Sequence, residues 1–69
     1  MYGETLKQQR LQRNYSQKDI AQAINVTQQA ISCYENNINE PTISVCIRLA
    51  DFYGISVDEL IGHEIKKNW

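Results

Sequence analysis

The sequence is poor in the residues that stabilise small secreted proteins and build membrane spans. Of its 69 residues two are cysteines, one is a histidine and one a proline, and its longest uninterrupted apolar runs are two or three residues. A bilayer span needs about 20 apolar residues. A disulfide-stabilised secreted domain of this length usually has more than two cysteines and a basic, apolar leader. We therefore expect a cytoplasmic protein with free thiols and no membrane partner.

The few residues suited to metal or enzyme chemistry do not form a recognisable motif. The single histidine, His63, has no zinc-type spacing to Cys33 or Cys46. The three glycines are isolated, so no phosphate-binding loop is expected. No nucleophile stands beside a base in a known pattern, and 69 residues leave little volume for a substrate pocket. These absences argue against an enzyme and predict no metal, cofactor or small-molecule ligand.

The chain has a net charge of −1, but its charges are unevenly distributed. Residues 1–18 contain four cations and one acid, whereas residues 19–64 contain one cation and seven acids. No charged residue lies between Asp19 and Glu35. Nucleic-acid binders are commonly basic, so the net charge argues mildly against that class. A neutral, amide-rich stretch next to a basic segment is nevertheless compatible with a DNA-binding face.

Capping residues and apolar spacing predict an all-α fold with five helices and no strand. Ser16, Thr27, Thr42 and Ser56 are potential N-caps, two of them in capping boxes with Asp19 and Glu59. Asn14 and Gly54 follow helices as residues that tolerate the left-handed conformation. The predicted helices span residues 4–13 and, approximately, residues 17–24, 28–36, 43–53 and 57–61. In the fourth helix the expected core positions are Ile43, Cys46, Ile47, Leu49, Ala50 and Tyr53.

The second and third predicted helices are separated by a three-residue turn, which is typical of a helix-turn-helix motif. If Ile31 and Tyr34 face the core, the opposite side presents Gln28, Gln29, Ser32 and Cys33. A glutamine amide matches the acceptor and donor of adenine in the major groove. The free N–H groups at a helix start can also bind phosphates. Both features favour DNA binding.

The segments SQKDIAQAINVTQQAISCYEN and EPTISVCIRLADFYGISVDELI resemble the Cro/repressor-type (XRE-type) helix-turn-helix family. The likeness runs from about Leu6 to Ile61, and it is greatest to lambdoid phage repressors whose third helix starts with Thr-Gln-Gln. It implies a compact five-helix, lambda-repressor-like bundle over residues 1–62, followed by a tail at 63–69. It also implies a bacterial or phage-encoded transcriptional regulator, typically a repressor, that acts on the nucleoid.

The resemblance assigns roles to individual residues. Gln17 is expected to contact phosphate and to brace Gln28, while Arg10 and Glu35 form an ion pair between the first and third helices. The bases are contacted by the start and the exposed side of the third helix, and the following loop contacts phosphates. The implied DNA-binding residues are Gln17, Thr27, Gln28, Gln29, Ser32, Cys33, Asn36, Asn37 and Asn39.

The resemblance also implies a homodimer on a pseudo-palindromic operator, with half-sites about one helical turn apart. The expected dimer surface contains Ile55, Val57 and Trp69. Ile65 and Trp69 in the tail could dock on the domain or on a second chain, or the tail could be frayed.

Three positions depart from the family pattern. Asn25 replaces the usual turn glycine, Cys33 replaces a longer polar residue, and the loop has Glu40 where relatives have cations, which predicts a shallow salt dependence of DNA binding. Two alternatives remain open: a helix-turn-helix adaptor that has lost DNA binding, and a redox-sensitive Cys33. Cys46 is expected to be a small core residue.

Overall fold

The computed structural model describes residues 2–62, and in this range the chain consists of five α-helices without a strand. The helices are α1 (Gly3–Leu11), α2 (Gln17–Ile24), α3 (Gln28–Glu35), α4 (Ile43–Tyr53) and α5 (Val57–Ile61). The predicted all-α fold is therefore confirmed. The sequence-based expectations for His63, Ile65 and Trp69 lie outside the described residues.

Four of the five helices start at a side-chain cap. The hydroxyls of Ser16, Thr27, Thr42 and Ser56 each accept a hydrogen bond from the backbone N–H three residues later. The Ser16–Asp19 capping box has both of its bonds, since the Asp19 carboxylate also accepts the Ser16 N–H. At Ser56 the Glu59 carboxylate instead lies 3.5 Å from the Ser56 hydroxyl, so only half of the second predicted box is formed.

The helices enclose one small apolar core. α3 packs against α1 and α2, α4 packs against α2 and α5, and α1 also contacts α5. Ile20 and Leu60 are the largest fully buried side chains. The remaining core side chains are Leu6, Ala21, Ile24, Ile31, Val45, Cys46, Leu49 and Ala50. The prediction that Cys46 is a core residue is confirmed.

Two core assignments in α4 were wrong. Ile43 is 79% exposed and Ile47 is 47% exposed, whereas Val45, which was not assigned to the core, is buried. The buried face of α4 contains Val45, Cys46, Leu49 and Ala50, and Ile43 and Ile47 lie on an adjacent stripe. The apolar residues of α4 cover a wider arc of the helix than the face that packs against the core. Their periodicity therefore does not show which residues at the edges of that arc are buried.

None of the helices within residues 2–62 is both long enough and apolar enough to cross a bilayer.

Candidate nucleic-acid interface

A tight corner joins α2 to α3 and sets the direction of α3. Asn25 adopts the left-handed conformation, with φ 60° and ψ 50°, and Val26 donates its N–H to the carbonyl of Ala21 at 2.9 Å. Thr27 then caps α3 by accepting the N–H of Ala30 at 3.1 Å. Asparagine is the residue after glycine that tolerates this conformation best. The turn is therefore formed although glycine is absent from it.

The first turn of α3 presents two unengaged amides to solvent. Gln28 and Gln29 are exposed, and neither side chain forms a hydrogen bond with another residue in the described range. Ile31 is buried on the opposite side of the helix, and Tyr34 is half-buried. Exposed glutamines on a helix that is held by its apolar face are free to bind an external partner.

The middle of α3 is less exposed than the sequence predicted. Ser32 and Cys33 were expected on the same exposed side as the glutamines, but both are half-buried. Asn36 donates from Nδ2 to the Ser32 carbonyl at 2.9 Å and to its hydroxyl at 3.3 Å. This contact orients the Ser32 hydroxyl at the edge of the exposed surface.

A buried ion pair joins α1 to the end of α3. Arg10 donates from Nε to Glu35 Oε2 at 2.8 Å and from one terminal nitrogen to Oε1 at 2.9 Å. Its other terminal nitrogen donates to the Tyr15 carbonyl at 2.7 Å. The two side chains are only 9% and 5% exposed. The hydrogen bonds to Glu35 raise the pKa of the Arg10 guanidinium, which therefore keeps its charge although it is buried.

Gln17 is hydrogen-bonded to this ion pair. The resemblance had implied a contact with Gln28 instead. Nε2 of Gln17 donates to Glu35 Oε1 at 3.1 Å, and the side chain is half-buried at the start of α2. Glu35 thus accepts bonds from both α1 and α2. Arg10, Glu35 and Gln17 thus form one charged network, which joins the start of α2 to the end of α3.

The asparagines after α3 lie on the surface, but two of them have bonds within the protein. Asn36 is bonded to Ser32, and Asn37, with φ 59°, accepts the Gly3 N–H on its side-chain oxygen at 3.0 Å. Asn39 is exposed. These separate bonds hold the side chains of Asn36 and Asn37 in place, whereas no hydrogen bond holds that of Asn39 within residues 2–62.

Two close approaches, one at the end of α3 and one at the corner, have no signal in the sequence pattern. A Cβ atom on Gly3 would lie 2.5 Å from the Glu35 carbonyl, so the start of α1 approaches the end of α3 closely. Arg48 on α4 donates to the Ile24 carbonyl at 2.6 Å, across 24 residues of sequence. Only the folded arrangement brings these groups together.

The residues of the predicted dimer surface differ in how far they are buried. Val57 is 37% exposed, whereas Ile55 is half-buried and packs against the core. Trp69 lies outside the described residues.

Comparison with known proteins agrees with this architecture. The chain is 32% identical over 68 residues to the HTH-type transcriptional regulator ImmR of Bacillus subtilis, covering 96% of this chain and 54% of ImmR. It is 28% identical over 62 residues to the cryptic phage CTXphi transcriptional repressor RstR of Vibrio cholerae, covering 90% of this chain and 56% of RstR. The chain thus spans about half the length of these two relatives.

A solved structure has the same fold. The crystal structure of a transcriptional regulator from Listeria innocua superimposes with a TM-score of 0.84 at 28% sequence identity, covering all of this chain and 64% of that protein. Residues 6–60 match the helix-turn-helix family. This match covers most of the chain, and the corner between α2 and α3 has the geometry of the motif. The chain therefore belongs to the helix-turn-helix family.

Proposed function

We propose that this protein binds double-stranded DNA sequence-specifically and regulates transcription as a repressor on the bacterial nucleoid. The observation that carries the proposal is the pair of exposed, unengaged glutamines at the start of α3. They stand on a helix whose direction is fixed by the corner at Asn25 and by the Arg10–Glu35 pair. The relatives named as transcriptional regulators and a repressor support the same function.

The chemistry of the site suits the major groove. Gln28 and Gln29 offer a donor and an acceptor each, the pair that adenine presents at N7 and N6. In this proposal Ser32 and Cys33, which lie one turn further along α3, face the next bases. The start of α3 at Thr27 brings free backbone N–H groups to the DNA backbone. The remaining phosphate contacts come from Gln17, Asn36, Asn37 and Asn39.

A single domain of this size recognises only a few base pairs, so the proposal includes a homodimer on a pseudo-palindromic operator. Val57, with Ile55 and Trp69, forms the proposed contact between protomers. Two third helices would then enter the major groove about one helical turn apart.

The test is selection of bound duplexes from a random pool, followed by affinity measurements with variants. Gln28→Ala and Gln29→Ala should each weaken binding to the selected sequence by about fivefold or more, because a bidentate base contact contributes about 1–3 kcal/mol. Binding to a scrambled duplex should change little. Gln12→Ala is the control, since Gln12 is an exposed glutamine at the end of α1.

We expect Gln28→Ala and Gln29→Ala to have the circular dichroism spectrum and melting temperature of the wild type. The reason is that neither glutamine side chain has a hydrogen-bond partner among residues 2–62. Unchanged sequence preference in both variants would mean that another surface contacts the bases. If no sequence is selected at any salt concentration, the protein is better explained as a protein-binding adaptor, which the acidic balance of residues 19–64 favours.

A further inference from the structure

We propose that Arg48 is a positioning residue for base recognition: its bond to the Ile24 carbonyl holds the corner that directs α3. This inference rests on the function proposed above. The bond joins α4 to the last residue of α2, and its N–O distance is 2.6 Å.

The Ile24 carbonyl is a site where a cation is favourable. The last carbonyls of a helix have no partner within it and carry the negative end of the helix dipole. The last turn of α2 has no basic residue of its own. Arg48 is the single lysine or arginine between Lys18 and Lys66 in the sequence. Through its bond to the Ile24 carbonyl it places a positive charge, which belongs to α4, at the end of α2.

The position of this bond relates it to recognition. Ile24 is followed directly by Asn25, which is in the left-handed conformation, and three residues later by Thr27, the cap of α3. Asparagine in that conformation is less favourable than glycine. A corner that lacks glycine therefore gains from an external tie, and any rotation at this point moves the ends of Gln28 and Gln29.

The alternative is a direct contact between Arg48 and a phosphate, and the salt dependence of binding distinguishes the two roles. Loss of one phosphate contact weakens binding to all sequences and lowers the slope of log K against log salt by about one. Loss of a positioning bond reduces the preference for the operator and leaves the slope unchanged. The two roles thus make opposite predictions for a scrambled duplex.

The experiment compares Arg48→Met, Arg48→Lys and Lys7→Met with the wild type on the selected and scrambled duplexes across a salt series. Lys7 is an exposed cation on α1, so Lys7→Met is matched to Arg48→Met in charge and in the new side chain. In Arg48→Met the ratio of the affinities for the selected and scrambled duplexes should fall by about fivefold. This is the lower end of what one bidentate base contact contributes. Lysine keeps a charged donor, so Arg48→Lys should restore most of that preference.

Amide hydrogen exchange provides a measurement that does not depend on DNA. In Arg48→Met the amides of Asn25 and Val26 should exchange faster, while those in the middle of α1 keep their wild-type rates. If Arg48→Met does not fold, Arg48→Gln replaces it, since glutamine is a good helix former.

Two results would overturn the proposal: equal loss on both duplexes with a lower salt slope, or unchanged exchange at the corner. If the wild type selects no sequence, the proposed function fails separately, and the exchange data still decide whether Arg48 holds the corner.

Discussion

At the scale of single residues, the Glu35 side chain links three helices of the site. Its two oxygens accept bonds from Arg10 on α1 and from Gln17 on α2, and it lies at the end of α3. Breaking a buried pair by removing one partner is strongly destabilising because it leaves an uncompensated charge. Replacing both partners with apolar residues is often nearly neutral.

Arg10→Met should therefore lower the free energy of unfolding by about 3 kcal/mol, since it leaves the Glu35 carboxylate buried without its cation. The double variant Arg10→Met/Glu35→Leu should recover most of that loss. Urea titration of both variants and of Glu35→Leu alone completes a double-mutant cycle. Additive losses in the cycle would show that the pair is not coupled, contrary to its geometry.

Residue-scale contacts also mark the limit of sequence analysis. The exposed position of Gln28 and Gln29 followed from the spacing of Ile31 and Tyr34, because helical periodicity is local. The bond from Gln17 to Glu35 replaced the brace to Gln28 that the resemblance implied, and the Arg48 bond was not foreseen. Such contacts depend on how helices far apart in sequence are packed.

At the scale of helices, the N-termini agree with the approximate predicted bounds wherever a serine or threonine cap precedes the helix. α2, α3, α4 and α5 all begin at the predicted positions. α1 has no side-chain cap and begins at Gly3, one residue before the predicted start, and its end at Leu11 is two residues short of the predicted one. Gly3 is a poor helix former, but its close approach to α3 is a tertiary contact that propensity does not include.

The capping box of α2 should make stability depend on acidic pH. Hydrogen bonds from the Ser16 backbone and hydroxyl lower the pKa of the Asp19 carboxyl. A lowered pKa in the folded state means that the stabilisation is complete above the unfolded value of about 4 and is lost as the pH falls through the folded value. We expect Asp19→Asn to remove this part of the acid dependence of the urea midpoint.

Asp51→Asn is the matched control, because Asp51 is an exposed aspartate whose carbonyl caps α4 but whose carboxylate has no hydrogen bond among residues 2–62. It should leave the acid dependence near that of the wild type. Identical pH profiles for Asp19→Asn and the wild type would show that the box does not stabilise α2 through its charge.

At the scale of the whole molecule, the chain combines a basic N-terminal segment, an uncharged stretch that contains α3, and an acidic second half. No charged residue lies between Asp19 and Glu35, and Glu40 follows in the loop. Non-specific affinity for DNA comes from cations that neutralise phosphates, and this chain offers few of them after Lys18. In the proposed mode of binding, discrimination between sequences therefore depends on amide contacts in two half-sites, which makes the proposed dimer important for affinity.

Two of the exposed apolar surfaces within residues 2–62 are candidates for the dimer contact, and an experiment distinguishes between them. Val57 at the start of α5 belongs to the predicted surface, whereas Ile43 and Ile47 form the exposed stripe on α4 that was wrongly assigned to the core. We expect Val57→Glu to remain folded, since a carboxylate is favourable in the first turn of a helix. Its affinity for a duplex with two half-sites should fall toward that for a single half-site, because a buried charge at the two-fold contact is costly.

The paired variant Ile43→Glu places the same charge in the first turn of α4, where the wild-type side chain is 79% exposed. In this variant, the affinities for duplexes with two half-sites and with one half-site should differ as they do in the wild type. Gel shifts measure these affinities, and sedimentation measures the size of the complexes. The reverse result, with Ile43→Glu abolishing the difference and Val57→Glu preserving it, would move the dimer contact from α5 to the stripe on α4. The half-site spacing would then differ from that expected for a contact through α5, because the stripe begins directly after the loop at residues 36–42 that follows α3.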